Sequence, residues 1–169
     1  FRIPVFAQHV DGVPPGPYTG HITAAAVRHA GAVGTLLNHS ERSLPLEDMQ
    51  IVIPRCEKLG LEVVCCADDL QEAEAVARFF PDYVAIEPPA LVGGNVSVTS
   101  AEPEIVAGAV ERIHAANPKI DVLCGAGVKT GHDVAKALEL GTVGVLLASG
   151  IVKAKDPKKA LMDLARGLR

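Results

Sequence analysis

Residues 83–89 of this sequence read YVAIEPP, and this stretch decides the predicted fold. Its first four residues are apolar and strand-forming in type, which predicts a short strand buried on both faces. The strand ends on a carboxylate, Glu87, and the two prolines that follow stop the strand and stiffen the chain. Gly93 and Gly94 then allow unusual backbone angles or a close approach to a ligand. This pattern indicates a catalytic base beneath a lid, and the alternative interpretation is a solvated loop residue.

The rest of the chain alternates apolar strands with helices. The predicted strands are residues 3–8, 32–38, 61–66, 83–86, 120–124 and 143–147. The predicted helices are residues 23–30, 46–59, 69–80, 102–115, 130–140 and 156–168, with Pro54 as an expected kink. Because the strands are near-continuous apolar runs, the alternation predicts an α/β fold with a parallel sheet and helices outside it.

Two closures of such a sheet remain open from the residues: a doubly wound open sheet or a (β/α)8 barrel. Both place their sites at the carboxyl ends of the strands. No GxGxxG follows the first strand, whereas small-residue loops, Gly125-Ala126-Gly127 and Ala148-Ser149-Gly150, follow the last two. Such loops commonly hold a phosphate in barrels, so the barrel is favoured. Six units are fewer than eight, and we therefore expect one domain over residues 1–169, either an open sheet or a barrel lacking two leading units.

Composition narrows the class of protein. The net charge of −4 and pI near 5.8 give no reason to expect a nucleic-acid partner, and no apolar run approaches the length of a membrane helix. The four cysteines lack metal-ligand spacing, which indicates buried, reduced thiols in a cytoplasmic protein. We expect neither a metal nor an organic cofactor.

Several segments together resemble the triosephosphate isomerase family in its shorter archaeal form. They are, by residue number, FAQH (6–9), YTGH (18–21), NHSE (38–41), YVAIEPP (83–89), CGAG (124–127) and GVLLAS (144–149). The resemblance covers essentially the whole chain. It implies a (β/α)8 barrel of which strands 3–8 and their helices are present. It also implies interconversion of dihydroxyacetone phosphate and glyceraldehyde 3-phosphate through an enediolate, in glycolysis and gluconeogenesis.

The resemblance implies a role for each residue of the site. Glu87 is the base that moves the proton, and His39 is the neutral electrophile that polarises the carbonyl, with a helix N-terminus near it. Glu41 is a supporting carboxylate, and residues 90–98 form the lid. The expected phosphate contacts are backbone groups of Gly93, Gly127, Ala148 and Ser149, with the dipole of a short helix after the last strand.

The resemblance also implies a homo-oligomer, a dimer or a tetramer, that associates through the proline- and glycine-rich loop Asp11 to Thr19. An Asn-x-Lys segment on the family's first strand has no counterpart in this sequence. An inactive barrel fragment or phosphate-binding scaffold is therefore an alternative function. A barrel aldolase or lyase is a further alternative, but it needs a strand lysine, and no predicted strand carries one.

Overall fold

A computed structural model describes residues 3–94 and 96–168. Its six-stranded sheet is parallel throughout, and the strands neighbour one another in chain order. The strands are β1 (Phe6–Ala7), β2 (Gly34–Leu37), β3 (Glu62–Ala67), β4 (Tyr83–Ile86), β5 (Asp121–Cys124) and β6 (Gly144–Val145). A doubly wound sheet would reverse its strand order at a switch point. The sequential order is that of a barrel, so the chain forms part of a (β/α) barrel.

Helices follow each strand, and the short helix expected after the last strand is present, whereas one other short helix, after the fourth strand, is not predicted by the sequence. The helices are α1 (Ala24–His29), α2 (Leu46–Lys58), α3 (Leu70–Ala77), α4 (Val98–Ala101), α5 (Pro103–Ala116), α6 (Gly131–Glu139), α7 (Ser149–Val152) and α8 (Pro157–Arg166). A 3-10 turn, Pro89–Leu91, follows β4 directly. The chain therefore leaves this strand in a tight turn, as the two prolines require.

The two faces of the sheet carry different clusters. Val63 and Cys65 pack in the large core that also contains the buried residues of the helices. Val64, Cys66 and Ala85 form a second cluster on the other face, together with inward-facing residues of the neighbouring strands. Adjacent strand residues point to opposite faces, which explains why Cys65 and Cys66 belong to different clusters. All four cysteines are buried and unpaired.

Helix boundaries follow local capping chemistry closely. Thr23 and Asp69 cap α1 and α3 through side-chain oxygens, and Thr130 with Asp133 forms a capping box at α6. Helix α2 begins at Leu46 as predicted and continues through Pro54.

The structure shortens two of the predicted strands and adds one helix that the sequence does not predict. The predicted strands 3–8 and 143–147 pair only over Phe6–Ala7 and Gly144–Val145. The single helix expected over residues 102–115 is preceded by α4, which Ser97 caps. Helix α4 is only four residues long, and its Val98 and Thr99 are buried by packing, which no local sequence periodicity reveals. In the described part of the chain, no helix has the length and hydropathy that crossing a bilayer requires.

Candidate active site

One cavity of about 910 Å³ contains every residue that the sequence assigns to the site. Its lining includes His39, Glu41, Glu87, Gly93, Gly127, Ala148 and Ser149. These residues follow different strands, and parallel strands bring their carboxyl ends to one edge of the sheet. A smaller groove of about 450 Å³, lined by α3 and α5 residues, contains none of them.

Glu87 lies at the floor of this cavity and is only 5% exposed. Its backbone N–H donates to the Ala67 carbonyl at 2.9 Å, so pairing with β3 continues one residue past β4 and fixes the start of the side chain. Across from it, a Cβ at Gly125 would collide with the carboxylate, so the glycine makes room for the side chain. The Oε2 atom of Glu87 is buried without a hydrogen-bond partner. A buried carboxylate oxygen with no hydrogen-bond partner among the described residues is chemically available to accept a proton.

The environment of Glu87 shifts its protonation. Burial raises the pKa of the carboxyl above its usual value, opposed by hydrogen bonds from the Cys66 thiol and from the Ala126 backbone. Burial beside this carboxylate also raises the pKa of the Cys66 thiol, which therefore stays protonated and can donate. A carboxylate of raised basicity is suited to take a proton from carbon.

His39 lies opposite Glu87, with its Nε2 atom 3.8 Å from Glu87 Oε2. Its Nδ1 accepts a hydrogen bond from the Glu41 backbone N–H at 3.2 Å. An imidazole that accepts at Nδ1 carries its single proton on Nε2 when neutral. The N–H donor belongs to the turn closed by Arg42 N to His39 O, at 2.6 Å. The expected helix N-terminus does not supply this donor, because α2 begins only at Leu46.

The Glu41 side chain is 87% exposed, and its Oε2 lies 3.8 Å from His39 Nδ1. Glu41 lines the cavity, and in the described part of the chain its carboxylate has no lysine or arginine within ion-pair distance. Its backbone therefore orients His39, while its side chain remains open to a positively charged partner.

The expected phosphate contacts line the same cavity as Glu87 and His39. Gly93 and Gly127 both have positive φ, 69° and 72°, and a Cβ at Gly127 would collide with the Val96 carbonyl. Ala148 precedes α7, and Ser149 is its first residue. The predicted lid is shorter than residues 90–98, because Val98 is fully buried in α4 and its N–H donates to Ala126 O at 3.1 Å. Asn95, inside that segment, lies outside the described residues.

A further polar cluster on this edge of the sheet has no assigned role in the sequence interpretation. His9, which is 8% exposed, follows β1, and its Nε2 lies 3.1 Å from Asp11 Oδ1. Arg42 Nη2 donates to the same oxygen at 3.0 Å, and Ile22 N donates to Asp11 Oδ2 at 2.6 Å. Burial alone would raise the pKa of Asp11, but these hydrogen bonds and cations outweigh it and lower the pKa. The cluster joins the proline-rich loop to the turn that carries His39.

A sequence signal for this cluster does exist. His9 is a polar residue just after a strand, as His39 is, so the same rule would have placed it at the site. The partners of Asp11 lie far apart in the sequence, so only the fold identifies Arg42 as one of them. In the regions that the structure describes, no group of three or more His, Cys, Asp or Glu side chains is arranged to hold a metal ion.

Comparisons with known proteins agree with this geometry. The family model for triosephosphate isomerase matches residues 1–167. The triosephosphate isomerase of Methanocaldococcus jannaschii is 48% identical over 165 residues, covering 98% of this chain and 75% of the relative. That of Methanobacterium bryantii is 52% identical over 163 residues, covering 96% of this chain and 72% of the relative. That of Methanosarcina barkeri is 49% identical over 164 residues, with coverage of 97% and 74%. The chain belongs to the triosephosphate isomerase family.

Proposed function

We propose that this protein interconverts dihydroxyacetone phosphate and glyceraldehyde 3-phosphate through an enediolate. The observation that carries the proposal is the pair of facing groups in one cavity, Glu87 Oε2 and His39 Nε2, 3.8 Å apart. One is a buried carboxylate oxygen without a partner, and the other is a ring nitrogen whose protonation a backbone hydrogen bond sets. A base and an electrophile side by side are what proton transfer next to a carbonyl requires.

In the proposed mechanism, Glu87 removes a proton from one substrate carbon and returns it to the neighbouring carbon. The Nε2–H of neutral His39 donates to the carbonyl oxygen and stabilises the negative charge that develops there. This division of labour between a glutamate and a neutral histidine is the established one for the family. The raised pKa of Glu87 supports the first role, and the Glu41 N–H donating to His39 Nδ1 supports the second.

The substrate phosphate is proposed to bind the glycine- and alanine-containing part of the same cavity. Backbone groups of Gly93, Gly127, Ala148 and Ser149 would hold it, since small residues let the backbone approach an anion closely. The short helix α7 begins at Ser149, and both Ser149 and the preceding Ala148 line the cavity. Glu41 is proposed as a supporting carboxylate that holds a cation near the carbonyl, consistent with its exposed side chain.

We also propose a cytoplasmic homo-oligomer, a dimer or a tetramer, that associates through the loop Asp11 to Thr19. Residues 14–20 are exposed, and Tyr18, 41% exposed, stacks edge-on against His21 with ring centroids 6.1 Å apart. A stiff loop with a half-exposed aromatic ring is well suited to insert into a partner surface. Light scattering after size-exclusion chromatography on the protein and on Tyr18→Ser tests this proposal. A wild type that elutes as a monomer contradicts it.

The isomerase proposal is tested with glyceraldehyde 3-phosphate in heavy water. NMR should detect dihydroxyacetone phosphate that carries deuterium on the carbon next to its carbonyl, because the base exchanges its proton with solvent. Glu87→Gln should lower kcat by about 10²–10⁴-fold, and His39→Gln by about 10²–10³-fold. Glu57→Gln is the matched control, since Glu57 lies exposed on α2 and should leave kcat unchanged.

A phosphate-binding scaffold without catalysis is the second candidate, and the small residues Gly127, Ala148 and Ser149 in the cavity lining favour it, because they can hold an anion without any proton transfer. It predicts that the protein binds inorganic phosphate but has no activity above that of Glu87→Gln. The intact mass of the assayed sample, compared with 17.6 kDa for these residues, identifies the chain to which the result applies. Turnover that Glu87→Gln abolishes contradicts the scaffold.

A further inference from the structure

We propose that Asn38 and Glu72 form a positioning pair that holds His39 at its distance from Glu87. This inference rests on the proposed isomerase function and adds to it two residues that do not line the cavity. Both act through His39 and Glu87 rather than by touching substrate.

Asn38 sets the direction of the chain directly before His39. It is 2% exposed and follows the last residue of β2 with a φ of 58°. Residues other than glycine seldom adopt this conformation, and asparagine does so at lower cost because its side chain can hydrogen bond to nearby groups. The left-handed residue turns the chain away from the strand axis, and the next side chain, His39, lies in the cavity.

The side-chain amide of Asn38 uses all of its polar atoms. Its Nδ2 donates to Cys66 O and to Glu72 Oε1, both at 2.9 Å, and its Oδ1 accepts from Leu44 N at 2.8 Å. Two acceptors on one side and a donor on the other determine the orientation of the amide. A flipped amide would place its oxygen against the two acceptors and its NH₂ group against the Leu44 N–H. The side chain therefore joins the end of β2 to the end of β3 and to the segment before α2.

Glu72 completes the arrangement from the first turn of α3. Its Oε1 accepts from Asn38 Nδ2, and its Oε2 accepts from the Asp68 backbone N–H at 2.8 Å. A carboxylate offers an acceptor to each of these donors, whereas glutamine would turn an N–H group toward one of them. The charge of Glu72 is thus used to hold the ends of two neighbouring strands at a fixed spacing.

This spacing matters because the two proposed reacting groups depend on different strands. Asn38 precedes His39 at the end of β2, and it also bonds the backbone of Cys66, whose thiol contacts Glu87. The expected phosphate contacts belong to other loops. Within the described residues, the side-chain hydrogen bonds of Asn38 and Glu72 do not reach those loops. Loss of the pair should therefore impair the chemical step and leave phosphate binding intact.

The test uses Asn38→Gly, which tolerates the positive φ but removes all three hydrogen bonds. We expect kcat to fall by about 10–100-fold with KM nearly unchanged, as for a misplaced catalytic group. Affinity for 2-phosphoglycolate, whose carboxylate imitates the enediolate, should fall in parallel, whereas affinity for inorganic phosphate should not change. Glu72→Gln should give a smaller loss of the same kind. The double variant should lose less than the product of the two single effects, because the residues act as a unit.

Asn117→Gly is the matched control, since the Asn117 side chain accepts a turn hydrogen bond from Lys119 N and does not line the cavity. Unchanged kcat in folded Asn38→Gly overturns the inference, and so does an equal loss of affinity for inorganic phosphate. Should Asn38→Gly fail to fold, Glu72→Gln decides by the same criteria. If the wild type lacks isomerase activity, the proposed function fails by itself. The ¹⁵N shifts of His39 then decide the inference: they change in Asn38→Gly if the pair positions the ring, and unchanged shifts overturn it.

Discussion

Gly125→Ala isolates the position of Glu87 from its chemistry. The added Cβ would lie 2.7 Å from Glu87 Cγ and closer still to its Cδ and Oε1 atoms. Gly125 does not have the positive φ that would by itself strain an alanine. The collision therefore falls on the Glu87 side chain, which must move to relieve it.

The size of the effect follows from this overlap. Carbon atoms pack at about 3.5–4.0 Å, so the carboxylate must retreat by about 1 Å. A misplacement of about 1 Å costs about 100-fold in rate, which corresponds to about 2.7 kcal/mol of activation free energy. We expect kcat for glyceraldehyde 3-phosphate to fall by that factor with KM little changed, because the glycine is not among the expected phosphate contacts.

The assay is steady-state turnover, with circular dichroism and thermal melting to verify the fold. Gly144→Ala serves as the control, since its Cβ would meet only Leu123 Cδ2 at an ordinary 3.4 Å. Folded Gly125→Ala with a kcat within about threefold of wild type would refute the reasoning, because a 1 Å displacement of the base cannot be that mild.

Three further predictions concern stability and reactivity. Because burial raises the pKa of Glu87, the folded state holds its proton to higher pH than the unfolded chain, and ionisation at neutral pH opposes folding. Glu87→Gln should therefore have a higher Tm than the wild type at pH 7, and this difference in Tm should disappear below about pH 4. An equal difference in Tm at neutral and at acidic pH would contradict this prediction. The cysteine thiols are all buried, and burial raises the pKa of those at positions 65 and 124 to about 12. A disulfide reagent should therefore modify no cysteine at pH 7 until the protein is denatured. Fast labelling of the native protein would refute this prediction. Asp11→Asn removes the carboxylate charge that contacts both His9 and Arg42, and should lower the free energy of unfolding in urea by about 1–3 kcal/mol. The control Glu139→Gln breaks only a surface ion pair and should lower it by less than about 1 kcal/mol.

Local chemistry made much of this fold predictable. The capping residues Thr23 and Thr130 place the starts of two helices within a residue, because a cap needs only its own side chain and the N–H groups beside it. The apolar run ahead of Glu87 gives β4 its observed bounds, Tyr83–Ile86. Elements that depend on distant partners were less well predicted. The strands β1 and β6 pair over two residues each, and helix α4 exists because its buried residues pack against the rest of the fold.

The candidate site divides in the same way. The sequence by itself determined which polar and small residues follow the strands, and parallel topology then brings those strand ends to one edge. Only the tertiary structure decided that Gly125 makes room for Glu87. It also decided that Arg42 contacts Asp11 and that Glu72, on helix α3, contacts Asn38. The physical reason is the distance along the chain between the residues that interact. Capping and strand formation act between neighbours in the chain, whereas a buried hydrogen bond or a steric collision joins residues that only the fold brings together.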